Sequence, residues 1–360
     1  MQKRWEKVLE TFEERGLDAL LVVKHETVTK QNARYISGFT GSSAYIVIHR
    51  DRRVLLTDDR YTEQAAEQCP EFEVIRHGKP FTERLAAIIT ELGIKSLGYE
   101  TSGITCAMLN TVSEALPEVD MKGTKDIIEG LRAIKDDQEI ALLTHACSLA
   151  DAGYTHLLEL AKPGLTEKQL AYSLECFMRE SGAEGLAFDM ILVSAARTSH
   201  QHGSPSDRPI EPGDYVLVDF GAKYGGYRSD LTRTFIIGSA DDKQVEVYET
   251  VKRAQETAVS MLADGVKTAD VCGASYQTIC DAGYADFTGR GVGHGVGLEI
   301  HEEPFVSPEG APTLQAGHVI TVEPGIYIPD WGGVRIEDTV LITPTGYQLL
   351  THSSKELHIV

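Results

Sequence analysis

Positive charge is scarce in this chain: 34 Lys and Arg stand against 54 Asp and Glu, a formal net charge of -20. Nucleic acids and anionic membrane surfaces are held by clustered Lys and Arg, so neither is an expected partner. Long apolar runs are missing too. None approaches the roughly 20 residues that a membrane-spanning helix needs. The opening segment, Met1 to Glu10, is a charged amphipathic helix start and not a secretion signal. The six cysteines (Cys69, Cys106, Cys147, Cys176, Cys272, Cys280) contain no Cys-x-x-Cys pair. Free buried thiols in a reducing cytoplasm are expected. Methionine and aromatic stripes that would mark a protein-docking helix are absent; Met178, Met190 and Met261 are isolated and expected in the core.

What remains is an ordinary globular balance, 42% hydrophobic and 24% charged over 360 residues, enough for two or three domains. The first third alternates helix and strand patterns. Helices are expected over 3–15, 61–68 and 81–92, and strands at Asp18–Val23, Tyr45–Ile48, Val54–Leu56 and Ser96–Tyr99. This is the pattern of a small α/β layer domain. A boundary is expected near Met121–Thr124, giving domains 1–126 and 127–360. Asp136 with Glu139 forms a capping-box signature for a long helix opening the second domain. The charge runs Lys135-Asp136-Asp137 and Asp241-Asp242-Lys243 are expected to be solvated helix caps.

The second domain contains a duplication. Gly213-Asp214-Tyr215-Val216-Leu217-Val218-Asp219-Phe220-Gly221, a turn, and Arg228-Ser229-Asp230-Leu231-Thr232 are matched by Gly317-His318-Val319-Ile320-Thr321-Val322-Glu323-Pro324-Gly325, a turn, and Arg335-Ile336-Glu337-Asp338-Thr339. Upstream, Gly164 and Gly182 bracket one helix as Gly265 and Gly283 bracket another. Two copies with so long a period do not make a solenoid. They make one domain of two half-domains about a pseudo-two-fold axis.

Alternation along a strand puts Leu217 and Asp219 on one face and Val216, Val218 and Phe220 on the other. The Gly225-Gly226 turn then returns Asp230 close to Asp219, with the register open by a residue. Buried carboxylates this close repel unless a cation or a proton lies among them. Between the copies, the glycines around His294 and His301 allow close backbone approach; no strand, turn and long helix frame them as a dinucleotide site. Four carboxylates and an imidazole form a hard, oxygen-rich donor set that suits two ions of Mn, Co, Fe or Zn. Two ions about 3.5–4 Å apart hold a bridging water or hydroxide as a nucleophile, which predicts hydrolysis.

These residues resemble the pita-bread metallopeptidases, the group of methionine aminopeptidase, aminopeptidase P and prolidase. The resemblance spans the chain, and its specific part is the contexts VDFG, SDLTRTF, GHGVGLEIHEEP, TVEPGIY and VRIEDT. It implies an α/β (α+β) chain: a small N-terminal α/β creatinase-like domain, then a pseudo-two-fold pita-bread domain. It implies metal ligands Asp219, Asp230, His294, Glu323 and Glu337, with Asp230 and Glu337 bridging. All five are present, unlike the metal-free creatinase branch. Glu323 would also shuttle the proton. His202, in Ser199-His200-Gln201-His202-Gly203, and His301 would contact substrate and stabilise the oxyanion. Arg335 would pair with Asp219 or the substrate carboxylate; Tyr227 and Thr232 are weaker candidates for supporting positions. The segments Asn32 to Ser43 and Thr57 to Tyr61 resemble the extra domain of Xaa-Pro peptidases, which covers the active site, often that of a dimer partner, and limits substrate length.

The resemblance therefore implies a cytoplasmic, homodimeric metallo-exopeptidase carrying two divalent metal ions, with manganese favoured over Co, Zn or Fe. Its substrate would be a proline-containing di- or oligopeptide, cut at the Xaa-Pro bond by attack of a metal-bridging hydroxide. Prolidase and aminopeptidase P both fit. The rivals are a methionine or general aminopeptidase and a non-catalytic binding protein of the same fold.

Overall fold

A computed structural model describes residues 3–28, 30–310 and 312–360. Met1 and Gln2, part of the expected helical N-terminus, lie outside the described residues. The chain divides into two compact units, Met1–Arg132 and Ala133–Val360. Among the described residues, no helix is long and apolar enough to cross a membrane.

In the first unit, six strands make one mixed sheet in the spatial order Glu73–Arg76, Arg53–Thr57, Ala44–His49, Ala19–Lys24, Ser96–Glu100, Asp120–Thr124. Ala19–Lys24 runs antiparallel to Ala44–His49 and parallel to Ser96–Glu100. Helices Phe81–Glu91 and Cys106–Ala115 cover one face through Leu85, Ile88, Ile89 and Val112. The expected helix over 3–15 breaks at Thr11 into Arg4–Glu10 and Phe12–Arg15. Met121–Thr124, expected at a boundary, is instead part of an edge strand. It pairs residue by residue with Ser96–Glu100, and the chain divides only after a further helix, Ile127–Ala133, begins.

The second unit repeats itself. Helices Asp137–Leu160 and Glu167–Glu180 lay Leu149, Tyr154, Leu157, Leu170 and Leu174 on Val216, Val218, Phe220, Leu231 and Phe235. Helices Asp242–Ser260 and Thr268–Asp281 lay Ala258, Val259 and Val271 on Ile320, Val322, Val340 and Ile342. Asp136 and Asp241 cap the long helix of each half with complete capping boxes. The duplicated glycines turn corners that other residues resist: Gly164 and Gly265 have φ of 90° and 85°, Gly182 and Gly283 of 109° and 87°.

The hairpins are less alike than their sequences. In the first, Asp219 faces Thr232, and a two-residue Gly225-Gly226 turn joins Ala222–Tyr224 to Tyr227–Arg228. In the second, Val322 faces Asp338 and Gly325 faces Arg335, which sets Glu323 across from Glu337. The second hairpin is three residues longer between its carboxylates, and this shifts the register. The halves are joined by hydrogen bonds from the Glu337 N–H to the Thr232 carbonyl (3.1 Å) and from Thr339 Oγ1 to the Asp230 carbonyl (2.7 Å).

Two further local expectations fail. Lys135 is not solvated: its side chain is fully buried, 3.4 Å from Glu302, because the chain before its helix pairs with the Gly317 segment. Not every cysteine is buried; all six are free, but Cys106 is exposed at the start of its helix.

Candidate active site

Each carboxylate of the duplication stands at a point where a strand begins or ends. Asp219 is the last but one residue of Tyr215–Phe220, and Asp230 immediately precedes Leu231–Ile236. Glu323 follows Val319–Val322 and donates its N–H to the Val292 carbonyl at 2.7 Å; Glu337 precedes Asp338–Thr343. At such places the backbone is still held by the sheet while the side chain reaches into the opening beyond it. His294 comes from the short strand Gly293–Gly295. A Cβ on Gly293 would lie 2.0 Å from the Thr321 carbonyl oxygen, and one on Gly295 would lie 2.4 Å from that of Glu303. Glycine on both sides is therefore what lets this strand lie so close to its neighbours and present the imidazole.

The five side chains converge. His294 Nε2 is 3.6 Å from Asp230 Oδ2 and 3.3 Å from Glu323 Oε1. Donor atoms of Asp230, His294 and Glu337, all buried, lie within 4.8 Å of one another. Thr232 Oγ1 donates to Glu337 Oε2 at 2.6 Å, and Arg335 Nη2 to Asp219 Oδ2 at 2.5 Å. The other oxygens of these two acids, Glu337 Oε1 and Asp219 Oδ1, are buried without a hydrogen-bond partner. A buried, unpaired carboxylate oxygen is costly. A divalent cation supplies what both atoms lack, so the donor set fits the metal centre its chemistry implies.

The protonation preferences point the same way. Burial, reinforced by the neighbouring carboxylates, pushes Asp230 and Glu337 well above the ordinary carboxylate range. Burial also raises Asp219, against the opposing Arg335 charge. Glu323 is the exception: burial works against it, but the His294 hydrogen bond and charge and the Arg335 charge hold its carboxyl below the usual range. His301 is lowered by burial and by His294, on whose ring its own packs at 4.3 Å and 79°. One cluster thus contains acids whose charge needs a cation or a proton beside it and one acid whose charge its neighbours favour.

A cavity of about 560 Å³ opens over this cluster, walled in part by Asp219, Asp230, His294, Glu323 and Arg335. His202 and His301 line it as well; His200 does not. Phe188, Met190, Ile191, Ile300 and Pro324 supply apolar wall. Arg335, buried beneath, also donates to Thr232 Oγ1 (3.2 Å), the Gln201 carbonyl (3.3 Å) and Tyr327 Oη (2.9 Å). Of the two supporting candidates, Thr232 joins the cluster through Glu337. Tyr227 does not: its hydroxyl donates to Glu139 Oε1 at 2.8 Å.

Tyr327 and Thr321 were not singled out from sequence. Thr321 Oγ1 donates to Glu323 Oε1 at 3.3 Å and accepts from the His294 N–H at 3.1 Å. The period-two pattern held a signal for Thr321, two residues before Glu323 and so on the same side of the chain; Tyr327 lies on a separate strand, Gly325–Ile328.

A cavity over a buried acid and imidazole cluster, shared by two duplicated half-domains, defines a metal-dependent hydrolase of pita-bread fold. Residues 141–344 match the metallopeptidase family M24, and residues 4–134 match the Creatinase/Prolidase N-terminal domain. The chain belongs to family M24 and is a metallopeptidase. It is 37% identical to an Xaa-Pro dipeptidase of Pyrococcus horikoshii over 99% of both chains. Its fold is similar to that of an Xaa-Pro dipeptidase from Bacillus anthracis (TM-score 0.95, 38% identity, 99% of both chains). It is also similar to an X-Pro aminopeptidase from Thermotoga maritima (TM-score 0.91, 36% identity, 96% of this chain and 99% of that one).

Proposed function

We propose that this protein hydrolyses the N-terminal Xaa-Pro bond of dipeptides or short peptides with two divalent metal ions, manganese favoured, held by Asp219, Asp230, His294, Glu323 and Glu337. The observation that carries the reading is the buried convergence of Asp230, His294 and Glu337 beside two partnerless carboxylate oxygens. Ions held there would polarise the scissile carbonyl and make water a nucleophile at neutral pH.

The side chains divide the remaining work. Glu323, the acid kept ionised, accepts the water proton and passes it to the leaving proline nitrogen. His202 and His301 donate to the oxygen that gains charge as the carbonyl is attacked. Arg335 fixes Asp219 and closes the base of the cavity. The apolar wall of Phe188, Met190, Ile191 and Ile300 offers a surface for the proline ring. An Xaa-Pro amide has no N–H, so a dry apolar pocket selects it better than a site built on hydrogen bonds to that group. The related dipeptidases favour the dipeptidase reading, and the similar X-Pro aminopeptidase structure supports the second reading, action on longer peptides.

Hydrolysis rates of Ala-Pro, Ala-Pro-Ala and Met-Ala by the Mn-loaded protein test this. Ala-Pro turnover above Met-Ala is expected. Turnover of the tripeptide alone would select the aminopeptidase reading. Preference for Met-Ala would indicate a general aminopeptidase, and no turnover of any of the three would indicate a binding protein.

A further inference from the structure

His202 is carried by an irregular loop, and nothing regular in that loop explains how an exposed imidazole stays aimed at the cavity. The loop leaves the strand Ile191–Ser194, passes through a short 3-10 turn, Ala195–Ser199, and returns at Ser206. Its tip presents Gln201, His202 and Ser204 to the cavity. Ala195 opens it at φ 53°, a left-handed conformation that a residue with a Cβ resists. A strained stem under an exposed tip needs an anchor.

One carboxylate ties both ends of the loop. Glu167, the first residue of its helix and wholly buried, turns one oxygen to each stem. Oε1 accepts from the Ser194 N–H at 2.7 Å and from Ser194 Oγ at 2.8 Å. Oε2 accepts from the Ser206 N–H at 2.8 Å and from Ser206 Oγ at 2.7 Å. Arg197 Nε, from inside the loop, lies 3.2 Å and 3.3 Å from the two oxygens. Arg208 Nη1 donates to Ser194 Oγ at 2.8 Å, extending the lattice to Asp214. The tip is held separately, by the Arg335 bond to the Gln201 carbonyl and by the Gly333 N–H donating to Thr198 Oγ1 at 2.7 Å.

We infer that Glu167 is a positioning residue for catalysis: it closes the 194–206 loop into a fixed ring and so sets where His202 meets the substrate. The chemistry suits no other common residue. Only a carboxylate offers two acceptor edges, and aspartate is one carbon too short to reach both stems from the same helix position. Glutamine would keep one edge and turn an N–H₂ toward donors at the other. The helix that begins at Glu167 adds a favourable dipole for the charge. The inference rests on the proposed role of His202.

The test is a double-mutant cycle on Mn-loaded protein with Ala-Pro as substrate, comparing wild type, Glu167→Gln, His202→Ala and the double variant. Glu167→Gln is expected to lower kcat/KM about 10–100-fold, a loss like that seen when partners that orient metal ligands are removed. Its bound-metal content should not change, and it should have almost no further effect once His202 is alanine. Equal losses in both backgrounds, or loss of metal in Glu167→Gln, would overturn the inference by making Glu167 a general stabiliser. A His202→Ala variant as active as wild type would instead remove the role assigned to His202. Should Glu167→Gln not fold, Ser206→Ala takes its place in the cycle. It removes one bond from one stem, and a loss of the same sign, again absent without His202, supports the clamp. No loss refutes it.

Discussion

Glu337 Oε1 and Asp219 Oδ1 define the residue-scale problem that this fold solves. Each is a carboxylate oxygen shut away from water with no donor, although the other oxygen of each acid has one. The arrangement is tolerable only if something positively charged completes it. Elsewhere the same logic acts on a neutral group. His318 is buried, accepts the Gln315 N–H at Nδ1 (3.0 Å) and is held to about 4 by burial and by the neighbouring Lys135 charge. Its folded pKa lies below its ordinary value of 6.5, so the unfolded chain takes up the proton first. Its contribution to stability is complete above pH 6.5 and is lost as pH falls through about 4. His318→Asn, whose Oδ1 can accept the Gln315 N–H in place of Nδ1, is expected to weaken the fall in melting temperature between those values. An unchanged acid limb in thermal scans would refute this.

At this scale the sequence was most legible where it repeated itself. The duplicated carboxylates could be picked out because matching strands ended in acids twice. His294 stood out through the glycines that its crowded strand requires. Tyr327 and Thr321 went unnoticed because an isolated Tyr or Thr on a strand does not reveal that Arg335 or Glu323 lies against it. Lys135 was misread because its neighbours in sequence are charged, whereas its partner Glu302 lies 167 residues away.

Secondary-structure elements are the scale at which the duplication stops being symmetric. Both half-domains place two helices on a sheet, of three strands in the first and five in the second, and the helices followed from matching glycines and capping signals. The register did not. Asp219 faces Thr232, whereas Glu323 faces Glu337, because the second turn is longer by an odd number of residues. That offset lets Thr232 of one half reach Glu337 of the other. The edge strand Asp120–Thr124 was hidden for a related reason: short polar edge strands and linkers have the same composition, and only pairing separates them. The strand Gly293–Gly295 gives the sharpest test here. Gly293→Ala puts a Cβ where the Thr321 carbonyl oxygen sits. It is expected to cost about 1–3 kcal/mol in denaturant unfolding. Tilting His294 should also lower metal affinity about 10–100-fold. Wild-type metal affinity in that variant would show that the close approach does not set the imidazole.

For the molecule as a whole, the second unit is two half-domains joined where their acids meet, so a cation held there would act as ligand and as cross-link. Binding to the folded state alone stabilises it by mass action. Removing metal should therefore lower stability as well as activity. Four of the acids behind the chain's negative charge, Asp219, Asp230, Glu323 and Glu337, stand in this buried cluster.

The central claim, that acids from both half-domains together hold the catalytic ions, is tested most directly by calorimetric titration of chelator-stripped protein with Mn²⁺, in wild type and in Glu337→Gln. The account predicts two equivalents bound by the wild type and loss of at least one in the variant. Identical binding by the two proteins, or none by the wild type, would contradict it.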